Sequence, residues 1–236
     1  MTVRAITFDF WSTLFRDANG DARWESRIKT AVALTGRAPE IIRQHLMDIS
    51  HEFFKHHIGQ QRTLGPEDAV GLLCERLGCT LSLADTSALC HVMGTTILDH
   101  SPEPEPGALE AVAAAAARVP VGLISDAGIS PGSSLRALLE RHGFDRYLKT
   151  MVFSDEVGAA KPQAITFQTA AEALGVEPRD LLHIGDLEPT DIAGIRELGG
   201  TAALFAGINA RFLGSTTAEY TFLTWGEFIE ALPGIC

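Results

Sequence analysis

Cysteine is scarce in this sequence, and the few cysteines present form no metal-binding pattern. They are Cys74, Cys79, Cys90 and Cys236. No two of them make a C-x-x-C pair, and no histidine stands at the spacing typical of a zinc site. We therefore expect free, partly buried thiols without a functional role.

The sequence also lacks a long apolar run and an excess of positive charge. No segment approaches the roughly 20 apolar residues of a membrane helix, and the opening MTVRAITFDFW has too short an apolar run for a secretory signal. The formal net charge of −11 argues against attraction to nucleic acid or to an anionic membrane, because both need a positive field. We expect a cytoplasmic protein with neither of these partners.

Short runs of β-branched and apolar residues recur along the chain and predict buried parallel strands. The runs are VRAITF (3–8), VGLIS (121–125), TMVFS (150–154), LLHIG (181–185) and TAALF (201–205). Glycine-terminated helical stretches separate the last four runs, an alanine-rich helix is predicted at 107–120, and residues 220–235 predict an edge strand with a short helix. This alternation predicts an α/β fold with a doubly wound parallel sheet.

Residues 16–100 break this rhythm, with several helical stretches and no convincing strand between them. The predicted helices include residues 23–36, 39–59 and 66–78. Turn-forming residues border the segment, DANGD on entry and SPEPEPG on return, which suit stiff connections to a separate unit. We predict a core domain of residues 1–15 and 101–236, and an inserted helical domain of residues 16–100.

Polar residues stand where the predicted strands end. In chain order they are Asp9, Ser125, Asp126, Lys161, Asp186 and Asp191. Each one alone is explained as a helix cap or a loop residue. In an open α/β sheet, however, the carboxyl ends of the strands form one ligand-binding edge, and charges gathered there cost stability unless they hold a ligand or a metal. We therefore predict a functional site at this edge.

Four motifs occur in order at these positions: FDFWST, LISD, KP and GDLEPTD. Together they resemble the motifs of the haloacid dehalogenase (HAD) superfamily of aspartate-nucleophile hydrolases and phosphotransferases, over essentially the whole chain. The resemblance implies a hydrolase with a Rossmann-like core. The helical insertion directly after the first motif resembles the family's C1-type cap domain.

The resemblance also implies catalytic roles. Asp9 would be the nucleophile that forms a covalent intermediate. Ser125 and the amide of Asp126 would hold the oxygens of the transferred group. Lys161 would neutralise charge on the nucleophile and the substrate, and Asp191 would orient that lysine.

A magnesium site is implied in the same way. Its ligands would be the carboxylates of Asp9 and Asp186 and the backbone carbonyl of Trp11. This donor set suits Mg²⁺, which prefers hard oxygen ligands and joins a carboxylate nucleophile to an anionic phosphate. We therefore expect Mg²⁺ as the cofactor.

Trp11 departs from the pattern of the family's phosphatases, which carry a second aspartate two residues after the nucleophile. That aspartate protonates the leaving oxygen and later activates water. An indole does neither, so help worth about 10²- to 10⁴-fold has to come from elsewhere. One reading is a phosphohydrolase of a small phosphorylated metabolite whose acid/base is supplied by the cap or the substrate. Alternatively, the substrate is an acyl or enol phosphate, whose leaving group departs without an acid.

Two other readings stay open. A 2-haloacid dehalogenase places an aromatic residue at the Trp11 position and releases halide unassisted, but it needs no metal and its fourth motif lacks the GD of Asp186. A catalytically degenerate protein would bind a phosphorylated ligand or a partner protein without turnover. The retained Asp9, Lys161 and Asp186 argue against that reading.

Basic residues of the helical insertion are candidate substrate contacts. HEFFKHHIGQQR places His51, Lys55 and Arg62 in an otherwise acidic protein, with His51 and Lys55 at i, i+4 spacing on one helix face. A solvated helix face is the alternative. If these residues face the site, they bind substrate together with Trp11, Ser125 and Asp126. Neither the substrate nor the oligomeric state is indicated by the sequence.

Overall fold

The computed structural model describes residues 3–61 and 63–236, without the side chains of residues 54, 57 and 58. The strands are β1 (Ala5–Phe8), β2 (Phe15–Arg16), β3 (Glu103–Pro104), β4 (Val121–Ser125), β5 (Leu148–Phe153), β6 (Leu181–Gly185), β7 (Thr201–Phe205) and β8 (Tyr220–Phe222). The helices are α1 (Gly20–Thr35), α2 (Pro39–Gln60), α3 (Pro66–Leu77), α4 (Leu83–Asp99), α5 (Ala108–Ala116), α6 (Gly132–Arg141), α7 (Ser154–Val157), α8 (Ala164–Leu174), α9 (Ala193–Glu197) and α10 (Trp225–Ile235).

Six strands form one sheet in the order β5-β4-β1-β6-β7-β8, and every neighbouring pair is parallel. β1 lies inside the sheet, and the strands that follow it in the chain extend the sheet on both of its sides. This confirms the predicted doubly wound α/β fold. The edge strand and short helix expected after residue 220 are β8 and α10.

Apolar layers cover both faces of the sheet, because successive strand residues point to opposite sides. Ile6 and Phe8 belong to a cluster with residues of α5, α6 and α10, whereas Ala5 packs with residues of α8 and α9. Burial on both faces explains why the strands read as continuous apolar runs.

The four helices α1 to α4 pack around a separate apolar cluster. Its fully buried members include Ala31, Ile42, Leu46, Leu73 and Met93. Pro39 and Pro66 stand in the first turns of α2 and α3, where the missing amide proton costs no helical hydrogen bond. The three helices named from the sequence are present, and α4 is a fourth.

The two connections to this helical segment pair with each other, which the sequence patterns did not predict. β2 and β3 form a two-stranded antiparallel ribbon in which Phe15 is opposite Pro104 and Arg16 is opposite Glu103. The side chain of Arg16 also pairs with Glu105 at 3.0 Å. Strands of two residues are too short to show an alternating pattern, so they read as turns alone.

Two expectations from composition are met within the described residues. The four cysteines are free and half-buried, as predicted. No described helix is both long and apolar enough to span a bilayer.

Candidate active site

Lys161 lies between two carboxylates at the carboxyl edge of the sheet. Its Nζ donates to Asp9 Oδ1 at 2.6 Å, to Asp191 Oδ1 at 2.6 Å and to the carbonyl oxygen of Ile124 at 3.2 Å, so all three ammonium protons have acceptors. Burial alone would lower the pKa of Lys161, but the two carboxylates raise it above its ordinary value. The lysine is therefore a fixed positive charge beside Asp9.

Parallel pairing of β1 and β6 brings the first and fourth motifs together. Asp9 follows β1, and its amide donates to the carbonyl oxygen of Ile184 in β6 at 2.8 Å. Asp186 follows β6 directly. Gly185 precedes it because a Cβ at that position would overlap the Asp191 carboxylate. The three aspartates thus meet at the carboxyl ends of the adjacent strands β1 and β6, as predicted for this topology.

The loop that carries Lys161 is anchored to the end of β4. The backbone amide of Lys161 donates to Asp126 Oδ1 at 2.9 Å. The amide of Ala127 donates to Ser154 Oγ at 2.8 Å, which connects the same strand end to the start of α7. These hydrogen bonds therefore fix the second and third motifs relative to each other, next to Asp9.

Three buried carboxylates form a group that can hold a metal ion. One oxygen each from Asp9, Asp186 and Asp191 lies within 4.8 Å of the other two. Burial and the Asp191 charge raise the pKa of Asp186 to about 6, although Asn209 donates to its Oδ2 at 2.7 Å. Burial likewise raises the pKa of Asp9 well above its ordinary value. An excess of buried, hard oxygen donors over positive charge fits a divalent cation.

Within this group, Asp191 already has donors at both oxygens. Its Oδ1 accepts from Lys161 and from His183 Nε2 at 3.0 Å, and its Oδ2 accepts from the Leu187 amide at 3.0 Å and from Thr190 Oγ1 at 3.3 Å. Burial opposes ionisation of Asp191, but Lys161 and His183 lower its pKa below the ordinary value. This carboxylate is therefore suited to holding the lysine, and the other two are left for a metal.

His183 is a buried residue of this site that sequence reasoning missed. Its Nδ1 lies 2.9 Å from Thr7 Oγ1, and burial lowers the pKa of the imidazole. Because the ionised Asp191 only accepts, Nε2 of the neutral ring carries the proton and the Thr7 hydroxyl donates to Nδ1. A histidine inside the apolar run LLHIG was the available signal.

A cavity of about 560 Å³ opens over the strand ends and is lined by residues of both the sheet edge and the helical segment. The predicted site residues that line it are Asp9, Trp11, Asp126, Lys161, Asp186 and Asp191. The helical segment contributes Arg23, Trp24, Arg27, Ser50 and Phe53. The motif residues and the helical segment therefore share one compartment.

Ser125 and the basic residues of α2 lie elsewhere. Ser125 ends β4, is buried beside the cavity without lining it, and its hydroxyl has no hydrogen-bond partner in the described part of the chain. His51 and Lys55 are exposed and do not line the cavity, because a different face of α2, with Ser50 and Phe53, points toward it. Arg62, the third basic candidate, is outside the described residues.

Trp11 lines the cavity two residues after Asp9. Its half-buried indole packs edge-on against Phe10, with ring centroids 5.1 Å apart. Ser12 follows with φ +53°, a left-handed conformation that turns the chain sharply after the indole. No histidine is present among the described cavity residues, and the nearby Asp17 pairs with Arg23.

Arg23 and Arg27 are the second group that sequence reasoning missed. Both are buried, and both line the cavity from α1. Their i, i+4 spacing in RWESRIK was visible, but it reads equally well as a solvated helix face. Only the packing of α1 against α2 and α4 turns this face of the helix toward the site.

Comparisons with known proteins identify a matching family and similar proteins. A family model described as haloacid dehalogenase-like hydrolase matches residues 3–199. The pyrimidine 5'-nucleotidase YjjG of Escherichia coli strain K12 is 37% identical over 92 residues, which are 39% of this chain and 40% of that protein. The chain spans less than two thirds of the length of the curated relatives it matches.

Solved structures share the fold at low sequence identity. The 2-haloacid dehalogenase of Pseudomonas syringae pv. Tomato DC3000 superposes with a TM-score of 0.69 at 18% identity and covers all of both chains. The magnesium-bound HAD-hydrolase YfnB of Bacillus subtilis superposes with a TM-score of 0.68 at 14% identity, over 98% of this chain and 99% of that one. At such identities the likeness concerns the fold alone.

Proposed function

Because the chain belongs to the haloacid dehalogenase-like hydrolase family, we propose that it is a magnesium-dependent phosphohydrolase of a small phosphorylated molecule, with Asp9 as nucleophile. The observation that carries this proposal is the 2.6 Å contact between Lys161 Nζ and Asp9 Oδ1 at the floor of the cavity. A fixed ammonium there orients the carboxylate and offsets the negative charge of an incoming phosphate. The similarity to a nucleotidase supports a phosphate substrate.

The proposed reaction has two displacements at phosphorus. An oxygen of Asp9 attacks the phosphorus, the bond to the leaving oxygen breaks, and the leaving group takes the electron pair. Water then attacks the phosphorus of the aspartyl phosphate, which releases phosphate and restores the Asp9 carboxylate. The water's proton passes to phosphate or solvent. Lys161 and the amide of Asp126, two residues that line the cavity, would hold the phosphoryl oxygens, and the buried Ser125 would join them by turning its hydroxyl toward the cavity.

Magnesium would be held by Asp9, Asp186 and the backbone carbonyl of Trp11. When bound, it would neutralise charge shared by the carboxylate nucleophile and the phosphate. The excess of buried carboxylate oxygens supports this assignment, because Asp186 is otherwise an ionisable group held in an unfavourable environment. Asn209 would fix the orientation of Asp186 through its 2.7 Å hydrogen bond.

We assign residues 16–100 the role of a cap over a core of residues 1–15 and 101–236. The segment has its own apolar cluster and contributes Trp24 and Phe53 to the cavity. In this position it would keep bulk water from the aspartyl phosphate and select the substrate, as lids generally do.

The leaving group is expected to depart without a protein acid. Trp11 cannot donate a proton to an alkoxide, and the exposed His51 and Lys55 do not reach the cavity. Substrates whose leaving oxygen is already stabilised, such as acyl, enol or aryl phosphates, therefore suit this site better than alkyl phosphates.

A second candidate function is hydrolysis of a 2-haloacid, which Trp11 favours because halide departs without an acid. An Asp9 oxygen would displace halide from carbon, and water would then hydrolyse the ester at its acyl carbon and restore Asp9. The buried Asp186 speaks against it, since that reaction needs no metal.

The deciding experiment measures phosphate release from acyl, enol, aryl and alkyl phosphates, and halide release from 2-chloropropionate, with and without Mg²⁺. We expect Mg²⁺-dependent phosphate release that is lost in Asp9→Asn and kept in Asp145→Asn, an exposed aspartate of the core. Metal-independent halide release would establish the second candidate. Binding of phosphorylated ligands without any turnover would establish the degenerate reading.

A further inference from the structure

Arg27 is a buried cation that contacts a backbone carbonyl, a hydroxyl and an aromatic ring. It is 6% exposed, its Nε donates to the carbonyl oxygen of Met93 at 3.1 Å, and its Nη2 donates to Ser130 Oγ at 3.4 Å. The guanidinium carbon lies 5.7 Å from the centre of the Trp24 ring. Among the described residues, no carboxylate pairs with Arg27.

The neighbouring Arg23 is different in this respect. It pairs with the carboxylate of Asp17 and donates to the carbonyl oxygen of His100 at 2.6 Å. Desolvation, together with the positive charge of Arg23, lowers the pKa of Arg27 to about 10, which still leaves it charged at neutral pH. Of these two arginines, Arg23 is paired with a carboxylate, and Arg27 has no such partner among the described residues.

A buried charge without a counter-ion is destabilising, so a position like that of Arg27 is explained best by an anion that arrives with a ligand. Arg27 and Ser130 both line the cavity that contains Asp9 and Lys161. A molecule held at Asp9 by its phosphate therefore has Arg27 within the same compartment of about 560 Å³.

We propose that Arg27, with the hydroxyl of Ser130, binds a carboxylate of the substrate, so that the enzyme selects phosphorylated organic acids. This inference rests on the proposed function and names its substrate class. A planar carboxylate matches the planar fork of a guanidinium and balances its single charge. A second phosphate group would carry a charge of about −2, which exceeds the single positive charge of Arg27, so it matches this position less well than a carboxylate does.

The test compares phosphate esters that differ only in a carboxylate. The pairs are 3- and 4-carboxyphenyl phosphate against phenyl phosphate, and phosphoenolpyruvate against vinyl phosphate. For the wild type we expect kcat/KM to be roughly 10- to 100-fold higher for at least one carboxylated member, the range typical of a charge-assisted hydrogen bond. Arg27→Met should abolish this ratio, Arg27→Lys should keep part of it, and Arg76→Met, an arginine that pairs with Glu52 away from the cavity, should leave it unchanged.

A ratio measured within one variant does not depend on how much of that protein is folded. Hydrolysis by the wild type without any preference, or a preference that survives in Arg27→Met, would overturn the inference while leaving the phosphohydrolase proposal intact.

Calorimetric binding of the same compounds to Asp9→Asn, with and without Arg27→Met, separates recognition from chemistry. An Arg27-dependent preference in binding supports the inference even if the wild type hydrolyses no phosphate ester, in which case the proposed function fails alone. Equal binding of carboxylated and plain esters overturns the inference whatever the turnover.

Discussion

His183 Nε2 lies 3.0 Å from Asp191 Oδ1, the same oxygen that accepts a hydrogen bond from Lys161 Nζ. The imidazole is fully buried and fixed at its other nitrogen by Thr7. The Asp191 oxygen that contacts Lys161 is therefore positioned by β1 and β6, the two strands that also position Asp9 and Asp186.

Replacing His183 tests this positioning. His183→Phe leaves Asp191 with one donor fewer and the Thr7 hydroxyl without a partner, so we expect kcat to fall about tenfold and the free energy of unfolding to fall by about 1–3 kcal/mol. His183→Gln keeps both a donor and an acceptor and should recover most of kcat. Steady-state kinetics and chemical denaturation give the two readouts. A phenylalanine variant that matches the wild type in both would show that the contact has no role.

The raised pKa of Asp186 leads us to expect that the stability of the protein depends on pH and on metal in an unusual way. The pKa of this carboxyl is raised from the ordinary 3.8 to about 6, so without a divalent ion the unfolded chain loses this proton at lower pH than the folded one. The contribution of Asp186 to the free energy of unfolding should therefore fall as pH rises from about 4 to about 6, by roughly 3 kcal/mol, and the raised pKa of Asp9 acts in the same direction. The lowered pKa of Asp191 has the opposite sign, but it acts below about pH 4.

Chemical denaturation at pH 5 and pH 7, with and without Mg²⁺, measures this response. Magnesium should restore stability at pH 7, and Asp186→Asn should be more stable than the wild type in metal-free buffer while losing most of the Mg²⁺ effect. Equal Mg²⁺ stabilisation of both proteins would place the ion elsewhere.

Trp11→Asp supplies the missing acid/base at the cavity wall. We expect it to raise turnover of alkyl phosphates by about 10²-fold, the lower end of the effect of a general acid, with little change for aryl or enol phosphates whose leaving groups need no proton. Trp11→Phe is the matched control, because it also removes the indole but adds no acid. A uniform change across all leaving groups would mean that Trp11 acts only in binding.

Two faces of α2 should respond differently to truncation. His51→Ala and Lys55→Ala alter exposed side chains away from the cavity, so kinetics should stay within about twofold of the wild type. Phe53→Ala opens the cavity wall and should raise KM. Loss of activity in the His51 or Lys55 variant would restore the assignment of these residues to the substrate.

Local patterns in the sequence were enough to predict the core. Apolar runs marked the strands, glycine-terminated stretches marked the helices, and motif order indicated the family. Because parallel topology collects strand ends at one edge, the meeting of Asp9, Lys161, Asp186 and Asp191 followed from their positions after the strands.

Only the tertiary structure decided which further side chains meet these residues. Asn209 contacts Asp186, Arg27 contacts Ser130, and His183 contacts Thr7 in another strand, and no local pattern encodes such contacts between separate segments. The orientation of α2 is a similar case. Its packing against α1 and α3 directs the face with Phe53 toward the cavity, and the sequence of α2 alone does not indicate which face that is. Strand periodicity is a property of neighbouring residues, whereas the facing of an inserted helix depends on the whole apolar cluster around it.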